Sequence, residues 1–111
     1  IEAISIFPDD DVEKKRKEII KAIKKVDQKK GVIVLTDMVG GTPSNLAISV
    51  MDEEKVEVVA GVNLPMLIKI SSLRNKCKIK ELIKISQESG RKYMNVASAF
   101  FGETTNCNKK N

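Results

Sequence analysis

The fold is decided by residues 32–45, which read VIVLTDMVGGTPSN. The run Val32–Leu35 is apolar without alternation, which is typical of a parallel strand buried on both faces. Thr42 suits the N-cap of a following helix. Pro43 suits the first helical position, where its missing N–H group costs nothing. The stretch therefore predicts a strand, a tight glycine turn and a helix.

The segments on either side alternate in the same way. Apolar residues at 3.6-residue spacing predict a helix from Asp11 to Val26, with Asp10 and Glu13 as a capping box. A second helix is expected after Asn63 as its N-cap, and a third from Ile79 to Ser89, ended by Gly90. Further strands are expected at Ile1–Ile6, Val56–Ala60 and Tyr93–Ala97. This order predicts an α/β fold with a mostly parallel sheet.

Length and composition limit the classes of protein that fit. The chain has 111 residues, of which 41% are hydrophobic and 32% charged, and this suits one domain. Six Gly and three Pro exclude collagen and low-complexity sequences. No apolar run approaches the roughly 18 residues that span a bilayer. We expect a single soluble domain over residues 1–97, located in the cytoplasm without membrane insertion, and a polar, frayed tail over residues 98–111.

The net charge of +5 raises the question of a nucleic-acid partner. Seventeen of the twenty basic residues are Lys, and Lys spread over helix faces is typical of a solvated surface. One Tyr, three Phe and no Trp leave few platforms on which bases could stack. Cys77 and Cys107 have no closely spaced partner and are expected to be reduced thiols. We therefore expect no nucleic-acid partner, no metal and no cofactor.

A candidate anion site follows the strand at Val32–Leu35, since ligands of open α/β sheets bind beyond the carboxyl ends of the strands. Gly40 and Gly41 let the backbone approach an anion closely, and the helix that starts at Thr42 presents its partial positive charge there. Neither a Walker loop nor a dinucleotide fingerprint occurs. Asp37 would repel a phosphate unless a metal cation or a His imidazole stood between them. A ligand-free turn, with Asp37 in an Asx turn, is the open alternative.

Two motifs carry a family resemblance. Residues 34–45, VLTDMVGGTPSN, and residues 60–66, AGVNLPM, resemble the IIA component of the mannose family (fructose/mannose type) of the bacterial sugar phosphotransferase system (PTS). The resemblance is strongest to the stand-alone IIA proteins of alphaproteobacteria. Residues 88–92, ESGRK, resemble the end of that family's last helix.

The resemblance implies a flavodoxin-like sheet of strand order 2-1-3-4-5 and a homodimer that exchanges its last strand. It also implies a phosphoryl carrier, in which a His accepts phosphate from the phosphocarrier protein HPr and passes it to a IIB partner or serves in regulation. Asp37 then matches the carboxylate that orients the His, and Thr42 the hydroxyl residue that contacts the phosphoryl group. The amides of Gly40 and Gly41 would complete the phosphate cradle, and Asn63 would lie in the active-site loop.

This sequence departs from the family in one respect, which is that it contains no His. The resemblance places the phospho-acceptor His in a turn after the family's first, central strand. It implies that about thirty residues, one strand and its helix, would precede Ile1. We therefore expect the chain by itself to be destabilised and to accept no phosphate. The alternatives are a His-less regulatory module that binds partners without phosphotransfer, and a nucleotide-binding flavodoxin-like protein.

Overall fold

Two parallel strands and four helices make up most of the fold, which a computed structural model describes over residues 1–51 and 55–101. The sheet consists of β1 (Val32–Thr36) and β2 (Val56–Ala60). The helices are α1 (Val12–Val26), α2 (Thr42–Ser49), α3 (Leu64–Leu73) and α4 (Ile79–Lys92), followed by a 3₁₀ helix (Ala97–Phe101). The predicted α/β class is thus confirmed.

The two strands pair in parallel, with α2 in the connection between them. The register joins Val32 to Val56 at one end and Thr36 to Ala60 at the other. Both strands therefore end at the same level, and the loops that follow them leave the sheet side by side. This is the edge at which parallel α/β sheets bind ligands.

The core lies between α1, α2 and β1. Its buried members are Ile19, Ile23, Val32, Leu46 and Val50. The N-cap of α1 is Asp11, whose Oδ1 accepts from the N–H groups of Glu13 at 3.0 Å and Lys14 at 3.3 Å.

The predicted capping box at Asp10 is therefore wrong by one residue. The Asp10 carboxylate instead accepts from the Phe7 N–H at 2.7 Å and closes the preceding turn. The Asp10 side chain thus stabilises the turn that precedes α1 and not the first turn of the helix.

The predicted strand at Ile1–Ile6 is wrong, because these residues form no ladder hydrogen bonds. Their apolar positions are nevertheless used, since Ile4 and Ile6 pack against the core. Glu2 forms an ion pair with Lys25, and hydrogen bonding to that ammonium lowers the pKa of the Glu2 carboxyl. A strand needs a neighbour, and in the described part of the chain the second edge of β1 has none.

Helix α4 spans the sheet from its amino edge to its carboxyl edge. At the amino edge, a Cβ on Gly31 (φ +98°) would lie 2.6 Å from the Ile79 side chain. At the carboxyl edge, a Cβ on Gly90 would lie 3.1 Å from Met66 Cε and 3.3 Å from Asn63 Oδ1. Gly90 therefore allows a close approach between helices, and its predicted role as the end of α4 is wrong.

The predicted strand at Tyr93–Ala97 is wrong as well. Helix α4 continues to Lys92 with Tyr93 as its C-cap, and the Ala99 N–H then bonds the Val96 carbonyl at 3.0 Å to begin the 3₁₀ helix. Of the predicted polar tail, residues 98–101 belong to this 3₁₀ helix, and residues 102–111, Cys107 included, lie outside the described residues. Cys77 is a free thiol, as expected.

The free edge of β1 leads to a prediction for the 111-residue chain by itself. Each buried backbone group without a partner costs about 1–3 kcal/mol, so several would remove much of a typical stability of about 5–15 kcal/mol. We expect the isolated chain to unfold without a sharp transition, or to aggregate on heating. Thermal melting followed by circular dichroism and light scattering checks this, and reversible, cooperative melting would contradict it.

Candidate functional site

The loops after β1 and β2 are joined at the carboxyl edge of the sheet by backbone hydrogen bonds. The Thr36 carbonyl accepts from the N–H groups of Gly61 and Val62, each at 3.0 Å. The Gly61 N–H also bonds the Asp37 carbonyl. Gly61 has φ +88°, a conformation that glycine adopts without strain. The loop that carries Asp37 is thereby fixed to the loop that leads to Asn63.

The glycine turn before α2 is organised by a buried serine. Gly40 has φ +93°, and its N–H donates to Ser44 Oγ at 3.1 Å. The same hydroxyl donates to the Gly41 carbonyl at 3.1 Å, and Ser44 is fully buried. These bonds hold the turn in one conformation below the first turn of α2.

The N-terminus of α2 has no side-chain cap. Its N-cap is Gly41, so the prediction of Thr42 as N-cap is wrong, and Thr42 is the first helical residue with Pro43 second. The reason is that Thr42 already has helical backbone geometry, while Gly41 is extended at φ −78° and ψ 164°. The partial positive charge of the helix terminus is therefore available to an anion.

Asp37 and Thr42 are both exposed beside this terminus. Asp37 Oδ1 lies 3.8 Å from the position that a Cβ would take on Gly41. The loop thus brings together Asp37, Gly40, Gly41 and Thr42, and it combines a carboxylate, a hydroxyl and a helix N-terminus. This set can bind a cationic or hydrogen-bonding group on one side and an anion on the other.

Asn63 occupies the neighbouring loop, where its amide makes two structural hydrogen bonds. Its Oδ1 accepts from the Met66 N–H at 3.1 Å and caps α3, as predicted. Its Nδ2 donates to the Gly90 carbonyl at 2.8 Å. Asn63 therefore fastens the last turn of α4 to the carboxyl edge.

Sequence reasoning missed two buried hydroxyl groups at this edge. Ser44 could have been suspected from its place in the first turn after two glycines. Thr36 closes the apolar run of β1, and its hydroxyl is buried without a hydrogen-bond partner among the described residues. A polar residue at the end of an otherwise apolar strand was the available signal.

Three further findings concern a groove beside α2, metal ligands and membrane spans. A groove of about 410 Å³ between α1 and α2 reaches Thr42 and Asn45 and is lined on the other side by Glu13 and Arg16. Within residues 1–51 and 55–101, no three His, Cys, Asp or Glu residues are grouped to hold a metal ion. None of the described helices is long and apolar enough to cross a membrane.

Comparison with known proteins decides the family. Residues 1–87 match the family described as the PTS system fructose IIA component. This chain belongs to that family. The resemblance drawn from the two motifs is confirmed.

Individual PTS proteins show the same relationship. The chain is 27% identical over 108 residues to the PTS system fructose-specific EIIA component of Bacillus subtilis, covering 96% of this chain and 74% of that protein. It is 44% identical over 69 residues to the PTS system mannose-specific EIIAB component of Escherichia coli K12, covering 60% of this chain but only 21% of that protein. A crystal structure of a phosphotransferase system component EIIA from Streptococcus agalactiae superposes with a TM-score of 0.70 at 25% identity. That match covers 83% of this chain and 72% of the other, and supports the expected flavodoxin-like fold lacking a strand.

The two glycines of the α2 turn provide a matched pair of substitutions. Gly40→Ala places a side chain on a residue at φ +93°, so we expect the free energy of unfolding to fall by about 1 kcal/mol. Gly41→Ala puts a Cβ at ordinary contact distance, 3.7 Å from its nearest neighbours, and should change stability by less than about half as much. Urea denaturation of the protein expressed from its complete open reading frame measures both, and equal losses would show that φ at Gly40 is unimportant.

Asn63→Ala removes both the α3 cap and the bond to α4. We expect the free energy of unfolding to fall by about 1–3 kcal/mol, because the Met66 N–H and the Gly90 carbonyl lose their partners. Asn95→Ala is the control, since its amide bonds only the exposed Tyr93 carbonyl at 3.3 Å. Similar stability of the two variants would argue against the structural role of Asn63.

Proposed function

We propose that this chain is the phosphate-cradling part of a PTS phosphoryl carrier. The carrier accepts a phosphoryl group from phospho-HPr on a His that these 111 residues do not contain, and passes it to a IIB partner or to a regulatory target. We further propose that it works in the cytoplasm as a homodimer. The observation that supports the proposal is the uncapped N-terminus of α2, held beside Asp37 at the carboxyl edge of the sheet.

Four residues of the loop have a defined role in this proposal: Asp37, Gly40, Gly41 and Thr42. Asp37 accepts a hydrogen bond from one imidazole nitrogen of the acceptor His, which leaves the lone pair of the other nitrogen free to attack phosphorus. The N–P bond to the acceptor forms as the N–P bond to the HPr His breaks, and the lone pair returns to the HPr imidazole. The Thr42 hydroxyl and the amides at the start of α2 donate to the phosphoryl oxygens. Gly40 and Gly41 leave room for that group.

A second candidate function is a regulatory module that binds partners without phosphotransfer. The absence of His from the 111 residues favours it. In that case the carboxyl edge would serve as a recognition surface, with Asp37 and Thr42 as exposed polar contacts. The two functions differ in whether any phosphate becomes covalently bound.

Phosphorylation of the protein expressed from its complete open reading frame separates the two. With phosphoenolpyruvate, enzyme I and HPr, we expect about one acid-labile phosphate per chain. The 111-residue chain by itself should acquire none, and stoichiometric labelling of that chain would contradict the role assigned to an external His. Binding of HPr or IIB without labelling of the full product would favour the regulatory module.

Variants of the full product test the residue roles. Asp37→Asn should slow phosphorylation at least roughly tenfold, since the acceptor tautomer is no longer fixed. Thr42→Val should slow it roughly tenfold through the loss of one hydrogen bond to a charged group. Glu57→Gln, on the exposed side of β2, removes one carboxylate away from the loop and should leave the rate unchanged. Equal effects at Asp37 and Glu57 would show that only net charge matters.

A further inference from the structure

Ser44 carries a buried hydroxyl to which the proposed phosphoryl transfer assigns no role. It lies in the first turn of α2 and is fully buried, although serine is mostly exposed in proteins. Its Oγ accepts from the Gly40 N–H at 3.1 Å and donates to the Gly41 carbonyl at 3.1 Å. The bond from Asn45 Nδ2 to the Gly40 carbonyl is longer, at 3.5 Å, and weaker. A single hydroxyl group thus bonds both residues of the glycine turn.

Packing contributes little to the conformation of this turn. Met38 and Val39, which connect Asp37 to Gly40, are 68% and 72% exposed. A Cβ on Gly40 would meet no atom within 4 Å. Glycine also has more alternative conformations than any other residue, so its backbone needs other contacts to stay in one of them. The hydrogen bonds to Ser44 are therefore the main contacts that fix the turn.

These bonds determine which amide of the turn is free to bind an anion. The Gly40 N–H already donates to Ser44. The Gly41 N–H has no hydrogen-bond partner among the described residues. The peptide that carries this N–H joins Gly40 to Gly41, and Ser44 holds it from both sides, through the N–H group before it and the carbonyl after it. Loss of the hydroxyl would leave the peptide free to rotate.

We propose that Ser44 is a positioning residue for phosphoryl transfer, which holds the Gly41 N–H towards the phosphoryl group between Asp37 and Thr42. This inference rests on the proposed function as a phosphoryl carrier. Because Ser44 is buried, it does not touch the phosphoryl group itself. A donor that is fixed before the reaction stabilises the charge of the transferring group without being reordered in the transition state. Ser44 therefore affects the rate of transfer and not the recognition of HPr.

Single-turnover phosphorylation of the complete open-reading-frame product tests this role. Rapid quenching over a range of phospho-HPr concentrations gives a maximal rate constant and a half-saturating concentration. Ser44→Ala should lower the maximal rate constant about tenfold to a hundredfold, because a slightly misplaced donor costs that much. The half-saturating concentration should change less than about twofold, since Ser44 offers no surface to HPr. A raised half-saturating concentration with an unchanged maximal rate constant would overturn the proposal.

Ser86→Ala is the matched control for a merely structural loss. Ser86 is 1% exposed, and its Oγ donates to the Leu82 carbonyl at 2.6 Å within α4. The substitution removes a buried hydroxyl of the same size that makes no bond to the glycine turn, so the maximal rate constant should be unchanged. Circular dichroism at the assay temperature checks that both variants are folded. Equal slowing by the two variants would mean that general destabilisation, and not position, explains the effect, and the proposal would fail.

Hydrogen exchange at the Gly40 amide gives a readout that does not depend on phosphate. By NMR, this N–H should exchange at least about tenfold faster in Ser44→Ala than in the unsubstituted protein, because its acceptor is gone. Ser44→Cys keeps a weaker donor and acceptor, so both its amide exchange and its phosphorylation should be intermediate, and it replaces the alanine variant if that variant does not fold. Unchanged exchange in these variants would contradict the proposal.

The same assays separate this inference from the function on which it rests. If the unsubstituted product accepts no phosphate, the carrier function is wrong and the role of Ser44 is wrong with it. If the unsubstituted product is phosphorylated and Ser44→Ala reacts at the same rate, the carrier function stands and only the role of Ser44 is overturned.

Discussion

The parallel register of β1 and β2 is the constraint on which the candidate site depends. Because Thr36 lies opposite Ala60, the two strands end together and their loops leave the sheet side by side. The Thr36 carbonyl accepts from two successive N–H groups of the second loop, which fixes the distance between the loops. A slip of one residue would turn the apolar side chains of β1 to the wrong faces and separate these loops. The packing of the core thus sets the geometry of the two loops at the carboxyl edge.

The start of α2 differs from that of α1 and α3 in a way that suits a ligand. Asp11 and Asn63 cap α1 and α3 with their own side chains, whereas α4, which begins at the amino edge of the sheet, has no side-chain cap. At α2 the N-cap is Gly41, and the buried hydroxyl of Ser44 instead holds the glycine turn through Gly40 and Gly41. Of the two helices that begin at the carboxyl edge, α3 is capped by Asn63, while the stabilisation that a cap would give is absent at α2, beside Asp37. A bound anion would supply it.

The elements that could be predicted are those whose signal is local. Val32–Leu35 and Val56–Ala60 are dense in β-branched residues, and Asn63 precedes a helix with an unambiguous cap pattern. The strands expected at Ile1–Ile6 and Tyr93–Ala97 depend on a neighbour, which a sequence pattern does not reveal. Ile4 and Ile6 still pack against the core. The hydrophobic pattern of residues 1–6 therefore indicated correctly which side chains are buried, although it did not reveal that the segment forms no strand.

The roles of individual glycines could likewise be predicted only in part from the sequence. Gly40 was predicted to let an anion approach the backbone closely, whereas the structure gives a different reason for glycine there, since its φ of +93° is strained for other residues. Gly90 was interpreted as a helix end, yet it lies inside α4, where a Cβ would be in tight contact with Met66 Cε at 3.1 Å and Asn63 Oδ1 at 3.3 Å. The difference is tertiary, since the same residue type stops a helix in one place and permits helix packing in another. The hydroxyl of Ser44 was missed for a related reason, as its two hydrogen bonds exist only once the turn has formed.

Gly90 also connects helix α4 to the candidate site. Because α4 runs in the same direction as the strands, its last turn reaches the carboxyl edge, where Asn63 binds the Gly90 carbonyl. Arg91, which is exposed, is the next residue in the chain. The last turn of α4 is therefore held in a fixed position relative to the loop of Asp37 and Thr42, through the Asn63 hydrogen bond and the close approach that Gly90 allows. The uncapped N-terminus of α2 and the Asp37 carboxylate therefore lie at the same edge of the sheet as the last turn of α4.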